Sequence, residues 1–258
     1  MTAEVKAARG MALRQRLRLT FLYLMLITFP ITLNYFSVYL IIEGSSQGIA
    51  VFSFFFWTAW VVAGFFFGRA ACGYACPLGA IQEVRDRMGG RMLWRIRYFR
   101  WVKYLLAVAW VGGIAAAAIA AGGYRKIELL YNMPQGISVD SIQSLFMFFT
   151  VVLAVLIPSL ILGKRGFCHY LCPWGVLNIV GTKVKGLFRW PSLHLRPEKE
   201  KCKQCRTCDN NCPMSLGVSR MVASGSMRNT ECILCGTCVD TCPNGTIKYS
   251  WRRVPKVS

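Results

Sequence analysis

The chain has 258 residues, of which 55% are apolar, with a mean hydropathy of +0.41 and a formal net charge of +20. Such a composition excludes an ordinary soluble domain of this size and points to membrane helices carrying extra positive charge.

A basic stretch occupies residues 1–18. Four charge-free segments follow, Leu19–Ile42, Gly48–Gly68, Tyr104–Gly123 and Ile142–Gly163. Each is long enough to cross ~30 Å of hydrocarbon, which takes about 20 residues. Pro30 and Asn34 interrupt the first segment and Pro158 the last, breaks that neighbouring helices can re-satisfy. The first segment lacks a small-x-small cleavage site and reads as a retained anchor. Charge sets the expected orientation. The connections 43–47 and 124–141 hold Arg125 and Lys126 against Glu43, Glu128 and Asp140, while the rest of the chain holds 29 basic and 8 acidic residues. By the positive-inside rule, both termini and the 69–103 loop face the cytoplasm.

That loop carries Arg85, Arg87, Arg91, Arg95, Arg97, Arg100 and Lys103, interleaved with Met92, Leu93, Trp94, Ile96, Tyr98 and Phe99. The pattern is that of a basic interfacial helix on anionic lipid headgroups, with an acidic protein partner as the second reading. The charge lies where topology needs it, which argues against nucleic acid.

The membrane part is duplicated. A shift of 96 residues lays Arg69 on Arg165, Cys72 on Cys168, Tyr74 on Tyr170, Cys76 on Cys172, Pro77 on Pro173 and Gly79 on Gly175, giving R-x-x-C-x-Y-x-C-P-x-G twice. Each copy ends a two-helix hairpin (19–68 and 104–163), and parallel repeats of this kind are related by an axis along the membrane normal. The axis would gather Cys72, Cys76, Cys168 and Cys172 as four soft ligands at the membrane edge, a candidate third cluster or metal site. A redox dithiol and a structural role remain open there. Arg69, Arg165 and Lys164 bracket these thiols, either to favour thiolates or as ordinary inside anchors. Tyr74 and Tyr170 read as interfacial belt residues.

The last eight of the 12 cysteines form two runs of the pattern C-x2-C-x2-C-x3-C-P, offset by 30 residues. This is the bacterial signature of two 4Fe–4S clusters, in which the fourth cysteine of each run serves the other cluster. The expected ligand sets are therefore Cys202, Cys205, Cys208 with Cys242, and Cys232, Cys235, Cys238 with Cys212. Zinc would need only paired C-x2-C motifs and has no use for the third thiol or the trailing proline. Free thiols in such numbers also fit a reducing compartment.

The two histidines, His169 and His194, both lie outside the expected spans, so this chain offers no bis-histidine haem within the bilayer. His169 sits inside the second C-x3-C and reads as an interfacial hydrogen-bonding residue with a cofactor contact as the sharper option. No nucleotide loop, nucleophile elbow or acid–base pair stands out, so no catalytic residue is assigned. The expected architecture is thus a four-helix membrane domain over 19–191, an α+β ferredoxin domain over 192–250 and a basic tail over 251–258.

On these spans, the doubled C-x3-C-P and the two C-terminal runs, residues from about 15 to 250 resemble the membrane polyferredoxins of the NapH type. They also look like the C-terminal halves of NosR and CcoG. The resemblance implies an electron-transfer subunit in the inner membrane of a prokaryote that exchanges electrons with the quinone pool and a partner redox subunit. A maturation factor that reduces a metal, or an anchor for a soluble oxidoreductase, are the alternatives it leaves. A quinone would lodge between the hairpins near Cys72 and Cys168, with Trp57, Trp60, Trp110 and the Gly112–Gly113 pair shaping an apolar slot.

Overall fold

The computed structural model describes residues 11–89, 98–131, 136–188 and 190–253. The first apolar segment does not form one helix. Helix α1 (Leu13–Ile27) stops at Thr28, α2 (Phe29–Thr32) is a single turn with Pro30 in its first positions, and a 3-10 turn (Asn34–Phe36) leads into α3 (Val38–Ser46). Proline removes an intrahelical donor, and the freed backbone groups need other partners. They find them in the opposite connection. Ser138 Oγ donates to Ile31 O at 2.6 Å and accepts from Asn34 N at 2.9 Å, and Ser53 Oγ donates to Asn34 O at 2.7 Å. Over Leu19–Ile42 the backbone is therefore a broken, internally satisfied segment, interrupted at the Pro30 and Asn34 positions, rather than one continuous helix. Moreover, the helix begins inside the basic N-terminal stretch, because Gln15 and Arg18 are buried against later parts of the chain.

Strand β1 (Ile49–Val51) precedes α4 (Phe52–Phe67), and a short α5 (Ala70–Tyr74) is followed by α6 (Pro77–Arg87). After a 3-10 turn, α7 (Val102–Ala120) leads to β2 (Lys126–Glu128), which pairs in parallel with β1. Then come α8 (Ile142–Leu162), α9 (Gly166–Tyr170) and α10 (Pro173–Phe188). Two helices are long and apolar enough to cross a membrane, Phe99–Ala120 and Ile142–Leu162, and α4 is a shorter apolar helix. Most of the expected basic interfacial helix, residues 90–97, lies outside the described residues.

The duplication is realised in the backbone. Helix α9 repeats α5 and the proline-initiated α10 repeats α6 at the 96-residue offset, each proline at a first position where its missing N–H costs nothing. Helices α4 and α10 cross closely at glycines: a Cβ on Gly64 would stand 2.6 Å from Asn178 Oδ1, and one on Gly181 3.4 Å from the Gly64 carbonyl carbon.

The C-terminal unit is a two-stranded antiparallel sheet of β3 (Pro191–Pro197) and β4 (Ile247–Arg253), paired along their whole length. It carries three short helices, α11 (Thr207–Asn210), α12 (Val218–Ala223) and α13 (Thr237–Asp240). The strands extend the unit one residue before 192 and three beyond 250, taking Trp251, Arg252 and Arg253 from the expected tail into β4.

Candidate iron–sulfur sites

Two small cavities lie in the C-terminal unit. One is lined by Cys202, Cys205, Cys208 and Cys242, with Pro243 beside them; the other by Cys212, Cys232, Cys235 and Cys238, with Pro213. In each, three thiols come from one run and the fourth from the other run. The loops that wrap the cavities share an unusual backbone. Gln204, Arg206 and Ser215 adopt positive φ, and 30 residues later so do Leu234, Gly236 and Gly245. Four of the six are not glycine. A left-handed L-residue costs roughly 1–2 kcal/mol, so strain repeated in register marks a loop shape held for a purpose. Such shapes turn the backbone around a central group. The donor sets and the wrapped loops fit a cubane cluster in each cavity.

All 12 cysteines are free thiols. Burial pushes Cys212 up to about 12 and Cys208 and Cys232 up to about 11, so ionisation of these thiols would come with metal binding. Cys205 is exposed and shifted down, chiefly by the Thr207 hydroxyl. Among the described residues no three His, Cys, Asp or Glu form a ready-made ion site, the two ferredoxin runs included.

The membrane-edge cysteines lie close by. Cys72 and Cys168 belong to the same apolar cluster as Cys212, Cys235 and Cys238, whereas Cys172 packs with Trp57 and Trp174. Burial, reinforced by the neighbouring Cys72 and Cys168, drives the Cys76 thiol up to about 12. Burial raises Cys172 too, with further contributions from Cys168, Cys76 and Cys72. The four thiols therefore share one neighbourhood, and Gln82 Nε2 donates to Cys168 Sγ at 3.1 Å.

The arginines of the two repeats are not surface anchors, since Arg69 is 1% exposed and Arg165 fully buried. Arg165 donates to Glu83 Oε2 at 3.0 Å and to the Cys72 carbonyl at 3.2 Å, and Arg18 adds a second cation at Glu83, with 2.6 Å to Oε1. The second repeat has Ile179 where the first has Glu83. Arg69 instead takes its carboxylate from the C-terminal unit, donating to Glu231 Oε2 at 2.7 Å, while Lys103 bonds Glu231 Oε1. Glu231 directly precedes Cys232, so a buried Arg–Glu–Lys triad ties the second ferredoxin run to the helices. Lys103 was expected on lipid headgroups; the structure turns it inward because a buried carboxylate needs the second cation.

More contacts hold the same joint. Gln15 Nε2 donates to the Cys235 carbonyl at 3.0 Å and to Asp240 at 2.7 Å, and the Tyr74 hydroxyl donates to the Cys235 carbonyl at 3.3 Å. His169 is 3.0 Å from the Met214 carbonyl, and burial lowers it to about 4, leaving the ring neutral. Tyr170 is 1% exposed. The expectation of interfacial belt tyrosines is thereby corrected: one is core and the other clasps a ferredoxin loop. Lys164 reaches the Asn210 carbonyl at 3.1 Å. Gln15, Arg18 and Glu231 carry no motif of their own in the sequence, and Glu83 none either. The available signal was scarcity, with only 11 acids in the chain and two of them, Asp209 and Glu231, abutting cysteines of the ferredoxin runs.

The indoles expected to shape a quinone slot pack on one another. Trp57 and Trp174 stack with centroids 3.4 Å apart, and Trp110 meets Trp174 edge-on at 4.0 Å. Cβ atoms on Gly112 and Gly113 would meet nothing within 4 Å.

A family model described as a 4Fe-4S binding domain matches residues 49–95 and again 144–191, and a 4Fe-4S dicluster domain matches 201–247. The chain is 24% identical over 83% of its length to the putative electron transport protein YccM of Escherichia coli, spanning 60% of that protein. It is 32% identical over 72% of its length to protein NirI of Paracoccus denitrificans, covering 26% of it. It is 25% identical over 71% of its length to the ferredoxin-type protein NapH of Haemophilus influenzae, covering 63%. No solved structure matches.

Proposed function

We propose, from the premise that this chain belongs to the NapH-type polyferredoxin family, that it relays electrons between the quinone pool and a partner redox subunit. Its iron–sulfur electron-transfer character follows from the family; the route and the partners are our reading. Cys202, Cys205, Cys208 and Cys242 would hold one 4Fe–4S cluster, and Cys232, Cys235, Cys238 and Cys212 the other. When bound, these clusters supply one-electron carriage. The observation that carries the reading is the crossed lining of the two cavities, three thiols from one run and one from the other.

The chain's own residues do the positioning. Glu231, held by Arg69 and Lys103, fixes the start of the second run against the helices. Gln15 and Tyr74 both hold the Cys235 carbonyl. Cys72 and Cys168 share the apolar cluster of Cys212, Cys235 and Cys238, which keeps water from the path between them. We assign to Cys72, Cys76, Cys168 and Cys172 a third cluster or metal at that point. It would form the step between the ferredoxin unit and the bilayer.

In this reading the chain spans the inner membrane of a prokaryote four times, with both termini and the ferredoxin unit cytoplasmic. Hydrocarbon ~30 Å thick is too wide for one electron hop, and neither histidine sits where a haem could bridge it. Exchange with quinone therefore takes place at the cytoplasmic edge. The test is anaerobic mixing of the purified full chain with short-chain quinols and quinones while cluster absorbance is followed. Bleaching or reoxidation on the time scale of turnover supports the relay. Indifference to every quinone would leave a wire between protein partners only.

A further inference from the structure

A third cavity, of about 400 Å³, opens beside the ferredoxin unit, at the foot of α4 and the C-terminal end of α10. Its wall includes Arg69, Lys183, Lys185 and Arg228, together with the polar side chains of Thr182, Thr230, Asn229 and His194. Among the described residues no acidic side chain lines it. Among the described residues, Lys183, Lys185 and Arg228 form no ion pair. A cavity that collects this much positive charge without a carboxylate repels cations and attracts an anion.

Two of the cations are built in rather than trailing in solvent. Lys185 is 6% exposed, and its ammonium donates to the Leu193 carbonyl at 3.0 Å, leaving further donors for a ligand. Arg69 is 1% exposed, and its Nη1 is held by Glu231 at the inner end of the cavity. Arg228 packs its guanidinium over Gly186, where any Cβ would collide with it. That contact directs an otherwise exposed arginine over the opening.

The surroundings specify what kind of anion. The cavity adjoins an apolar rim of Phe66, Phe67, Leu187, Phe188 and Trp251, each between 45% and 76% exposed. Trp190 stacks between Phe66 and Phe188 and donates its indole N–H to the Phe65 carbonyl at 3.0 Å. Aromatic residues with their polar ends tied down, at the end of an apolar helix, mark the level of lipid headgroups. Basic pockets at that level suit phosphate-bearing headgroups, and a guanidinium with two ammoniums suits phosphate oxygens.

We infer that this cavity is a binding site for a phosphate group, supplied by an anionic membrane phospholipid whose acyl chains lie along the Phe66–Phe188 rim or by free phosphate. The inference rests on the membrane reading for the lipid source, but the anion site itself stands on the cavity alone. Because Cys232 also lines it, the phosphate would sit beside a ligand of the second cluster.

The test uses the full chain purified in mild detergent with its iron retained. Native mass spectrometry, after incubation with phosphatidylglycerol, phosphatidylcholine or inorganic phosphate in parallel, reads the bound species. One phosphatidylglycerol retained per chain, with phosphatidylcholine washed away, is the expected result and assigns the lipid source. Retention of inorganic phosphate alone would assign the free anion and uphold the phosphate site. The double variant Lys183→Gln, Arg228→Gln should lose at least about tenfold in retention, the scale of one or two charge-assisted hydrogen bonds. The Lys183→Arg, Arg228→Lys variant should restore it. Iron content at the wild-type level certifies folding and separates a failure here from a failure of the cluster assignment. Equal retention of phosphatidylcholine, binding of neither phosphate source, or undiminished binding in the Gln variant would overturn the proposal.

Discussion

Arg165 reaches across the repeat boundary to Gly79: its Nη1 stands 2.9 Å from the point a Gly79 Cβ would occupy. The mirror contact joins Arg69 to Gly175, at 3.0 Å. Each copy of R-x-x-C-x-Y-x-C-P-x-G therefore supplies an arginine that lies over the other copy's glycine. This explains why the motif ends in glycine and why both halves carry it. Gly79→Ala and Gly175→Ala should each destabilise the fold by about 1–3 kcal/mol, the range for overpacking a filled core. Thermal unfolding followed through the visible cluster absorbance would measure it. An unchanged midpoint in both variants would contradict the crossed packing.

The Glu231 triad predicts a looser ferredoxin unit when the carboxylate is removed. Glu231→Gln leaves Arg69 and Lys103 buried without a counter-charge, a loss on the order of 3–5 kcal/mol. Hydrogen exchange should report the joint near Cys232 and Cys235 opening in the variant. Glu198 makes a similar pair of contacts to Lys201 and Lys248, but on the surface, where ion pairs contribute little. Glu198→Gln should leave the same exchange pattern unchanged.

Glu83 carries a pH signature. Burial raises its pKa, but Arg165 and Arg18 outweigh burial and bring it to about 2, below the ordinary 4.5. A folded-state value below the unfolded one means that the stabilisation is fully present above pH 4.5 and fades as pH falls from 4.5 toward 2. The difference in urea unfolding rate between wild type and Glu83→Gln should therefore be constant at neutral pH and shrink through that acid window. A difference that stays flat down to the lowest accessible pH would remove Glu83 from the account.

The four membrane-edge thiols make a separate prediction. If they hold a cofactor, Cys76→Ala with Cys172→Ala should reduce iron or another metal per chain while both ferredoxin clusters keep their reduced-state EPR signals. Metal content identical to wild type would assign these cysteines a structural or dithiol role.

The ferredoxin runs and the 96-residue duplication were legible in the sequence because both are spacing signals, and spacing survives folding unchanged. The helices Val102–Ala120 and Ile142–Leu162 were legible as long, predominantly apolar runs. The break at Pro30 was visible, yet its resolution depended on Ser138, about a hundred residues away, which no local pattern reveals. Arg69 and Arg165 read equally well as surface anchors, since sequence gives a charge but not its depth. Lys103 was misplaced because its carboxylate partner, Glu231, sits 128 positions further along the chain. Nothing in the local sequence around Trp174 indicates a partner, and only packing shows it stacked on Trp57.

The most direct test of the central claim is EPR with iron and sulfide analysis on the anaerobically purified, dithionite-reduced chain, comparing wild type with Cys242→Ser. Two interacting 4Fe–4S clusters are expected in the ferredoxin unit of the wild type, about eight irons in that unit apart from any metal at the membrane-edge cysteines. In the variant, the signal of the cluster held by Cys202, Cys205 and Cys208 should be lost or altered while that of the Cys232, Cys235 and Cys238 cluster persists. A zinc-loaded, EPR-silent C-terminal unit, or a Cys242→Ser variant that perturbs only the cluster of its own run, would contradict the account.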